Sequence, residues 1–399
     1  MYQKKFSKPK HFNRDRFSHT PNRSQVKRKQ GGGEYIHPEK FINKASTQEV
    51  EQFTPEHRFQ DFAIEDALKR SVTAKGYVLP TPIQDRAIPH VLSGKDVVGI
   101  ANTGTGKTAA FLIPLIHKVL TYPNEQVLIV VPTRELALQI DEELKSFTQG
   151  MRIFSVVCVG GAPIGFQIRM LKHRNQFVIG TPGRLKDLIE RKHIERSHYS
   201  TIVLDEADRM LDMGFIHDMR FVMEGMPSDR QTLFFSATLS SEIEKLISQF
   251  LREPVRITVK TSETAKNIEQ DVVRITPGMV KLDVLHGLLN QREFNKVLVF
   301  GRTKHGVEKL SKTLINRGIA AVSIHGDKSQ SQRQRSLAQF KENKAQVLVA
   351  TDVAARGLDI DNVSHVINYD LPTSYADYVH RIGRTGRAGQ RGKALTFIE

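Results

Sequence analysis

The sequence predicts an α/β protein with two successive domains, each a parallel β-sheet covered by helices on both faces. Three observations support this prediction. Short apolar runs alternate with amphipathic stretches, the alternation breaks once near residue 261 and then resumes, and 399 residues exceed the length of one ordinary domain. Near-continuous apolar strands are typical of parallel sheets that are buried on both faces. A single larger sheet, with the break as an ordinary loop, is the alternative.

Composition narrows the class of protein. Hydrophobic residues make up 39% and charged residues 26% of the chain, so a sizeable core is feasible. The longest apolar runs, such as Val127–Val131, are far shorter than the ~18 residues of a membrane-spanning helix, and we expect no membrane association. The single cysteine, Cys158, excludes an internal disulfide and a cysteine-based zinc site. A reducing compartment, the cytoplasm, is the expected location.

The net charge of +16 is concentrated at the N-terminus. Residues 1–30 contain ten Lys or Arg and one acid, Asp15, so +9 lies there and +7 remains for the other 369 residues. A basic excess of this kind is typical of chains that bind a polyanion, because neutralised phosphates release counterions. A tail that only improves solubility is the alternative.

Residues 1–33 are predicted to be a disordered basic tail, because aliphatic side chains are few and prolines interrupt the segment. The tail is also rich in Arg and poor in acids, as organelle transit peptides are, but its phenylalanines do not share one helical face. Residues 34–58 form a predicted N-terminal extension, in which Pro38–Lys44 is expected to pack on the main body.

The domain limits follow from two sets of predicted strands. The first set is Asp96–Ile100, Val127–Val131, Ile153–Val157, Phe177–Ile179, Thr201–Leu204 and Thr232–Phe235. The second set is Val272–Ile275, Lys296–Phe300, Ala320–Ile324, Gln346–Ala350, His365–Ile367 and Ala394–Phe397. Amphipathic stretches such as Glu135–Phe147 lie between them. We therefore predict domains at 59–260 and 268–399 with a linker at 261–267, and we expect no further C-terminal domain because the last strand ends two residues before the chain does.

The segment Ala101–Thr108 follows a predicted strand and opens a predicted helix, which is the setting of a phosphate-binding loop. Gly104 and Gly106 permit backbone angles and a close approach that other residues block. Exposed N–H groups and the helix dipole then favour an anion. We expect Lys107 to reach the β- and γ-phosphates of a nucleotide and Thr108 to hold Mg²⁺ through its hydroxyl.

Acidic residues follow the predicted strand Thr201–Leu204 directly. Because ligands of open parallel sheets bind at the carboxyl ends of strands, Asp205 and Glu206 are expected to face the same crevice as the phosphate loop. There Asp205 would bind Mg²⁺, usually through water, and Glu206 would orient or deprotonate the attacking water. A solvated helix start is the alternative explanation of such an acidic cluster, and the neighbouring phosphate loop argues against it.

From Phe59 to Glu399 the sequence resembles the DEAD-box RNA helicases. Asp205–Asp208 spells the family's signature, and Ala101–Thr108 resembles its nucleotide loop, with Asn102 in place of a more usual Gln. Gly76–Gln84 is similar to the family's adenine-reading segment. The resemblance implies two tandem RecA-like domains that use ATP and Mg²⁺. It also implies a set of nucleotide-contacting residues: Phe59, Gln84, Thr103, Gly104, Thr105, Gly106, Lys107, Thr108 and Asp359.

The chemistry of two of these residues suits an adenine base. The amide of Gln84 offers a donor and an acceptor that match the N6/N7 edge. The ring of Phe59, seventeen residues before Gly76 as the family's upstream aromatic is, can stack on the base.

The resemblance also implies RNA as partner, single-stranded and duplex, bound mainly through its backbone. The implied RNA-binding residues are Pro132, Thr133, Arg134, Gly161, Thr181, Gly183 and Arg184 in the first domain and Arg302, Gln330, Arg333 and Thr351 in the second. Proteins of ribonucleoprotein particles are further expected partners. Lys328 stands where an apolar residue is more common in the family.

Residues implied to couple hydrolysis to RNA are Ser236, Thr238, Asp208 and His380. Arg384 and Arg387 match the family's arginine-finger motif, and residues three apart on a helical turn point the same way. A guanidinium supplied across a cleft stabilises transition-state charge and is worth about 10³–10⁵ in rate. Lys107, Glu206 and these two arginines thus form the expected catalytic set, divided between the domains.

We therefore expect an ATP-dependent RNA helicase in which ATP and RNA both favour closure of the domains. The resemblance implies local strand separation by bending a bound strand. An ATP-gated RNA clamp or assembly platform with incidental unwinding is one alternative. A DNA translocase built from the same paired domains is the other, and Gln84 and the Asp205–Asp208 signature argue against it.

Overall fold

The computed structural model describes residues 37–43, 53–102, 104–259, 268–355, 360, 363–386 and 392–398. The predicted disordered tail and the predicted linker lie outside the described residues. Within the described ranges, no helix is both long enough and apolar enough to cross a membrane.

The first lobe is a seven-stranded parallel sheet with the order β3-β4-β2-β5-β6-β1-β7. Its strands are β1 (Val97–Ile100), β2 (Val127–Val130), β3 (Ser155–Cys158), β4 (Phe177–Gly180), β5 (Thr201–Leu204), β6 (Gln231–Ser236) and β7 (Val255–Thr258). Its helices are α1 (Asp66–Ala74), α2 (Pro82–Leu92), α3 (Lys107–Thr121), α4 (Arg134–Phe147), α5 (Ile164–Leu171), α6 (Pro182–Glu190), α7 (Ala207–Asp212), α8 (Ile216–Glu224) and α9 (Ser241–Phe250).

Alternation along the strands places a hydrophobic core on each face of this sheet. In β2, Val127 and Ile129 belong to one buried cluster, whereas Leu128 and Val130 belong to the other. Successive side chains of a strand point to opposite faces, so the two clusters lie on opposite sides of the sheet. A strand that is buried on both faces reads as a continuous apolar run, as the sequence shows.

The second lobe is a six-stranded parallel sheet with the order β10-β11-β9-β12-β13-β8. Its strands are β8 (Ile268–Arg274), β9 (Val297–Phe300), β10 (Ala321–Ile324), β11 (Val347–Ala350), β12 (His365–Asn368) and β13 (Gly392–Ile398). Its helices are α10 (Lys281–Leu289), α11 (Lys304–Asn316), α12 (Gln330–Lys341), α13 (Asp352–Ala355) and α14 (Tyr375–Ile382). The prediction of two parallel-sheet α/β domains is confirmed, and the alternative of a single larger sheet is wrong.

Strand β7 has no counterpart among the predicted strands. It is the edge strand next to β1, and only Ile257 is buried in it, whereas Arg256 and Thr258 are exposed. An edge strand with one buried side chain leaves no apolar run in the sequence, so the pattern that revealed the other strands is missing here.

Residues 37–43 pack on the second lobe. A short 3₁₀ helix at Pro38–Phe41 places the Phe41 ring edge-on against Tyr378, with ring centroids 4.8 Å apart, and leaves Phe41 only 1% exposed. Asn43 and Gln270 exchange both backbone hydrogen bonds at 2.9 Å in an antiparallel bridge. Since β8 lies at the edge of its sheet, this segment covers part of an otherwise open edge.

Replacing Phe41 by Ala is expected to release residues 37–43 from the second lobe, because truncating a buried Phe costs about 3–5 kcal/mol. Hydrogen exchange of the Asn43 and Gln270 amides should then accelerate while the amides of β9 keep their protection. Ile42→Ala is the matched control, because Ile42 is 47% exposed. Unchanged exchange at Asn43 and Gln270 in the Phe41→Ala variant would contradict this packing.

Candidate functional site

The loop between β1 and α3 depends on its glycines. Gly104 (φ 84°) and Gly106 (φ 91°) lie in the left-handed region of backbone space. A Cβ at Gly106 would overlap the side-chain amide of Gln84. Lys107 follows at the start of α3, is 6% exposed, and donates from Nζ to the Ala101 carbonyl at 2.7 Å. The loop is therefore folded tightly around its own lysine.

The predicted adenine-reading segment contacts this loop through Gln84. The Gln84 amide donates from Nε2 to the Gly106 carbonyl at 3.1 Å, and its Oε1 accepts from the Thr81 N–H at 2.9 Å. A glutamine amide has two donors and two lone pairs, so one donor and one lone pair have no partner among the described residues. Gln84 thus fixes the start of α2 against the phosphate loop.

Phe59 lies in an aromatic cluster. Its ring is 2% exposed and contacts Phe62 and Tyr77 edge-on, with centroids 5.8 and 5.5 Å away. Stacking on a base needs a free ring face, so the stacking role stays a prediction. Thr103 and Asp359, two further predicted nucleotide contacts, lie outside the described residues, as does Arg387.

Buried carboxylates follow β5. Asp205 is 2% exposed and its Oδ1 accepts from the Glu206 N–H at 2.9 Å. Burial raises the pKa of Asp205 to about 7, and the nearby Lys107 opposes that rise. Glu206 is 5% exposed, and its φ of 52° and ψ of 49° put a non-glycine residue in the left-handed region. Strain of this kind is concentrated at functional sites.

The side chain of Glu206 carries a second mark of a functional site. Its Oε2 is buried and has no hydrogen-bond partner within the part of the chain that the structure describes. Buried polar atoms are almost always bonded, so this oxygen is placed to accept from a ligand or water.

Asp208 links the acidic cluster to the end of β6. Its Oδ2 accepts from the N–H groups of Ala237 and Thr238 and from the Thr238 hydroxyl, at 3.0–3.1 Å. Ser236 in turn donates from Oγ to the Thr238 carbonyl at 2.7 Å, and the Ala101 N–H donates to the Ser236 carbonyl at 2.9 Å. The phosphate loop, the acids and the Ser236–Thr238 segment therefore form one hydrogen-bonded network at the carboxyl edge of the first sheet.

Three arginines from both lobes converge beside this edge. Burial lowers the pKa of Arg134, and repulsion from Arg333 and Arg184 lowers it further, whereas Glu135 opposes the shift. Arg333 crosses from the second lobe and pairs with Glu135, with Nη2 and Oε2 2.9 Å apart. Cations that raise each other's free energy in this way favour an anionic ligand between them.

Gly161 makes room for the first of these arginines. Its φ is 73°, and a Cβ there would overlap the Arg134 guanidinium. Arg184 lies nearby and donates from Nη1 to the Ala162 carbonyl at 3.3 Å and to Gln167 Oε1 at 3.0 Å.

The other predicted RNA contacts have varied surroundings. Pro132 and Thr133 are buried, and the Thr133 hydroxyl accepts from the Leu136 N–H at 3.2 Å, which caps α4. Thr181 precedes α6, in which Gly183 is exposed. In the second lobe Arg302 is exposed, Thr351 is half-buried, and the amide atoms of Gln330 are buried without a hydrogen-bond partner in the described ranges. Thr133 therefore caps a helix, whereas the role of Gln330 as an RNA contact stays a prediction.

A cavity between the lobes is lined by part of the predicted arginine-finger motif, in which Arg384 lies in a turn after the end of α14 and not on the expected helical turn. Its lining includes His380 and Arg384 from the second lobe and Arg209 from the first, and Arg384 is 3% exposed. Arg209 Nη1 lies 4.0 Å from Asp377 Oδ1 across the lobes. His380 and Arg384 of the second lobe therefore lie at the boundary with the first lobe, which carries the buried acids.

Several residues of this site were not singled out by the sequence. Glu135 and Arg209 adjoin predicted residues, but their partners across the lobes, Arg333 and Asp377, are distant in the chain. Arg381 is 2% exposed and binds both oxygens of Asp352 at 2.6 and 2.8 Å, which fixes α14 against α13. No spacing in the sequence reveals these pairings.

Comparison with known proteins agrees with this geometry. Residues 81–246 match the DEAD/DEAH box helicase family and residues 280–389 match the helicase conserved C-terminal domain. The ATP-dependent RNA helicase CshA of Listeria monocytogenes and that of Bacillus subtilis are each 48% identical to this chain, over 86% and 85% of it. The chain spans 66% and 69% of those two relatives.

Among solved structures, Mss116p with its NTE and C-tail deleted, bound to ssRNA and AMP-PNP, is similar, with a TM-score of 0.78 and 31% identity. The match covers 86% of this chain and 75% of that one. From these similarities, the chain belongs to the DEAD-box family of ATP-dependent RNA helicases.

Replacing Gly161 by Ala is expected to weaken RNA binding about tenfold, because the new methyl group displaces Arg134 and a charge-assisted contact is worth about 1.5–3 kcal/mol. Fluorescence anisotropy with a single-stranded RNA measures the loss. Gly165→Ala in α5 is the matched control, since nothing lies within 4 Å of the place its methyl group would take and no left-handed φ is needed there. Equal RNA affinity of the two variants would contradict the proposed role of Gly161.

Proposed function

We propose that this chain is an RNA-stimulated ATP hydrolase that separates short RNA duplexes or remodels RNA–protein particles in the cytoplasm. The observation that carries the proposal is the division of one site between two lobes. The phosphate loop and the buried acids belong to the first lobe, and Arg384 reaches the boundary from the second. Mss116p, whose whole-chain arrangement is similar, is described with ssRNA and AMP-PNP, which supports both ligand classes.

The nucleotide half of the site combines the phosphate loop, a P-loop, with the adenine-reading segment, which is called the Q motif. The backbone of Gly104–Gly106, followed by the N-terminus of α3, would hold the phosphates, and Lys107 would exchange the Ala101 carbonyl for a phosphate oxygen. Gln84 has the donor and lone pair needed for the adenine edge. Thr103, Thr105 and Asp359 complete the proposed contacts on the strength of the family resemblance.

The residues present fit Mg²⁺. Within the described ranges, no group of three or more His, Cys, Asp or Glu could hold a metal ion by itself. Mg²⁺ needs fewer protein ligands, because it keeps waters and takes oxygens from substrate phosphates. Burial raises the pKa of Asp205 to about 7, so a bound dication would stabilise its charged form, and the Thr108 hydroxyl would supply a second oxygen. When bound, the ion neutralises charge on the phosphates.

Glu206 is the proposed general base. Its Oε2, buried and without a hydrogen-bond partner among the described residues, would accept a proton from water, and the strained backbone at φ 52° would hold the carboxylate in position. Arg384, together with Arg387, would supply the cationic charge that the transition state needs. His380 lines the same cavity as Arg384 and would transmit the state of the nucleotide to the second lobe.

The RNA half of the site is the arginine cluster. Phosphates bound between Arg134, Arg184 and Arg333 would relieve the repulsion among these arginines. RNA binding would therefore stabilise the arrangement in which the two lobes meet. Through its hydrogen bonds from Thr238, Asp208 would couple closure of the lobes to the positions of Asp205 and Glu206. ATP and RNA binding are then reciprocally coupled, and a strand held by both lobes is bent locally.

Glu206→Gln is expected to lower kcat of RNA-stimulated ATP hydrolysis by about 10²–10⁴-fold, the usual contribution of a general base, because an amide does not take a proton from water. Affinity for ATP and RNA should change less than about threefold. Glu190→Gln, at an exposed position of α6, is the matched control. Undiminished hydrolysis by Glu206→Gln would remove this residue from the catalytic role.

Deleting residues 1–30 is expected to weaken RNA binding and to flatten its dependence on salt, because the segment carries +9 of charge. Titrations of RNA at several salt concentrations measure the slope. RNA-stimulated kcat at saturating RNA should not change. An unchanged slope would show that the tail does not contact RNA.

A further inference from the structure

One stretch of the first lobe is exceptionally basic. Residues 144–186 contain seven Lys or Arg and no Asp or Glu. This stretch of 43 residues therefore carries +7, which equals the net charge of the whole chain outside residues 1–30. The excess is therefore local, and the stretch includes β3, α5 and β4.

The exposed side of α5 presents an aromatic ring between cations. Phe166 is 54% exposed, and the Arg169 guanidinium lies 5.6 Å from its ring centroid. Lys172, the C-cap of α5, is exposed one turn further on. Side chains three residues apart are neighbours on a helix, so Phe166, Arg169 and Lys172 form one row that spans about 9 Å along the helix axis, here called the α5 surface.

The two cations of the α5 surface, Arg169 and Lys172, form no ion pair with the described residues. Lys145, Arg184 and Lys186 of the basic stretch pair with Asp141, Asp187 and Asp218, and Arg174 donates to the Pro123 carbonyl. Within the described ranges, by contrast, no carboxylate lies within 4.0 Å of Arg169 or Lys172. These two cations are available to an external anion.

Helix α5 is attached to the arginine cluster through its buried face. Helix α5 begins three residues after Gly161, and its one buried residue, Gln167, accepts from Arg184 at 3.0 Å and donates to the Val159 carbonyl at 2.9 Å. The side chains of the α5 surface are therefore presented by a helix that is fixed to an arginine of the proposed RNA site.

We propose that the α5 surface binds the part of a single-stranded RNA that extends beyond the arginine cluster. Arg169 and Lys172 contact its phosphates, and a base stacks on Phe166. Interleaved cations and exposed aromatic rings are how proteins hold single strands without reading their sequence. The proposal rests on the proposed function, because it extends the same RNA path.

The test compares oligouridylates of about 6 and about 16 nucleotides, within the range of site sizes of single-strand binders, on the full chain. Arg169→Gln/Lys172→Gln should weaken binding of the long RNA about tenfold. It should also reduce the slope of log affinity against log salt by about 1.4, or about 0.7 for each lost phosphate contact. Affinity for the short RNA, and kcat of ATP hydrolysis at saturating short RNA, should not change.

Two controls isolate the surface. Arg70→Gln/Lys245→Gln removes the same charge from exposed positions of α1 and α9 and should leave long-RNA affinity within about twofold. Phe166→Ala should weaken long-RNA binding about fivefold or more, and Phe166→Tyr should restore it, because stacking needs only the ring.

The proposal is overturned if long-RNA binding survives Arg169→Gln/Lys172→Gln, or if the control pair weakens it equally. An acidic protein as the true occupant would give the first of these results. Failure of the proposed function looks different, since RNA of either length would then not stimulate ATP hydrolysis by the unmodified chain.

Discussion

Buried carboxylates at the edge of one sheet are the constraint on which the rest of the structure depends. Asp205, Glu206 and Asp208 are each less than 8% exposed, and burying a charge is costly unless it is paired. Asp208 is compensated by three donors of the 237–238 segment, and Lys107 lies near Asp205. Glu206 keeps an oxygen that is unbonded among the described residues. In the proposed mechanism the first lobe alone is therefore an incomplete site, which a cation, a nucleotide and water would complete.

The contacts between the lobes described above are polar, which suits a closure that ligands control. Arg333–Glu135 is largely buried, with side chains 13% and 5% exposed, and a buried pair gains little net free energy because both ions lose water. Arg209–Asp377 is longer, at 4.0 Å. Repulsion within the arginine cluster opposes closure further. Under the proposed function, such a weakly stabilised arrangement would respond to an anion that fits the arginine cluster, whereas a large apolar interface would hold the lobes together without one.

The sequence was sufficient where a local pattern carries the information. Apolar runs predicted every described strand except β7, whose single buried side chain leaves no run. Glycine spacing in Ala101–Thr108 and acids after a buried strand predicted the phosphate loop and the acidic cluster, because both depend on neighbours in the chain. The family resemblance supplied the expected roles of the site residues. The structure adds why glycine is needed at Gly106 and Gly161: both have a positive φ, and a Cβ would overlap Gln84 at the first and Arg134 at the second.

Pairings between distant residues were beyond the sequence. The burial of Phe41 against Tyr378 and the pair Arg333–Glu135 each join segments that no periodicity relates. The ion pair of Lys328 is another pairing that the sequence did not predict, since this residue departs from the family pattern. Its Nζ lies 3.6 Å from Glu308, whose pKa is lowered to about 2 by a hydrogen bond from Ser323, with His325 and Lys328 contributing.

The most direct test of a site divided between two lobes is the turnover of residues 53–259 expressed alone. Circular dichroism first establishes that the fragment is folded, and its kcat for ATP is then compared with that of the whole chain at saturating RNA. We expect a kcat at least about 10³-fold lower, because the guanidinium groups of the second lobe are absent. Equal kcat values would contradict a divided site.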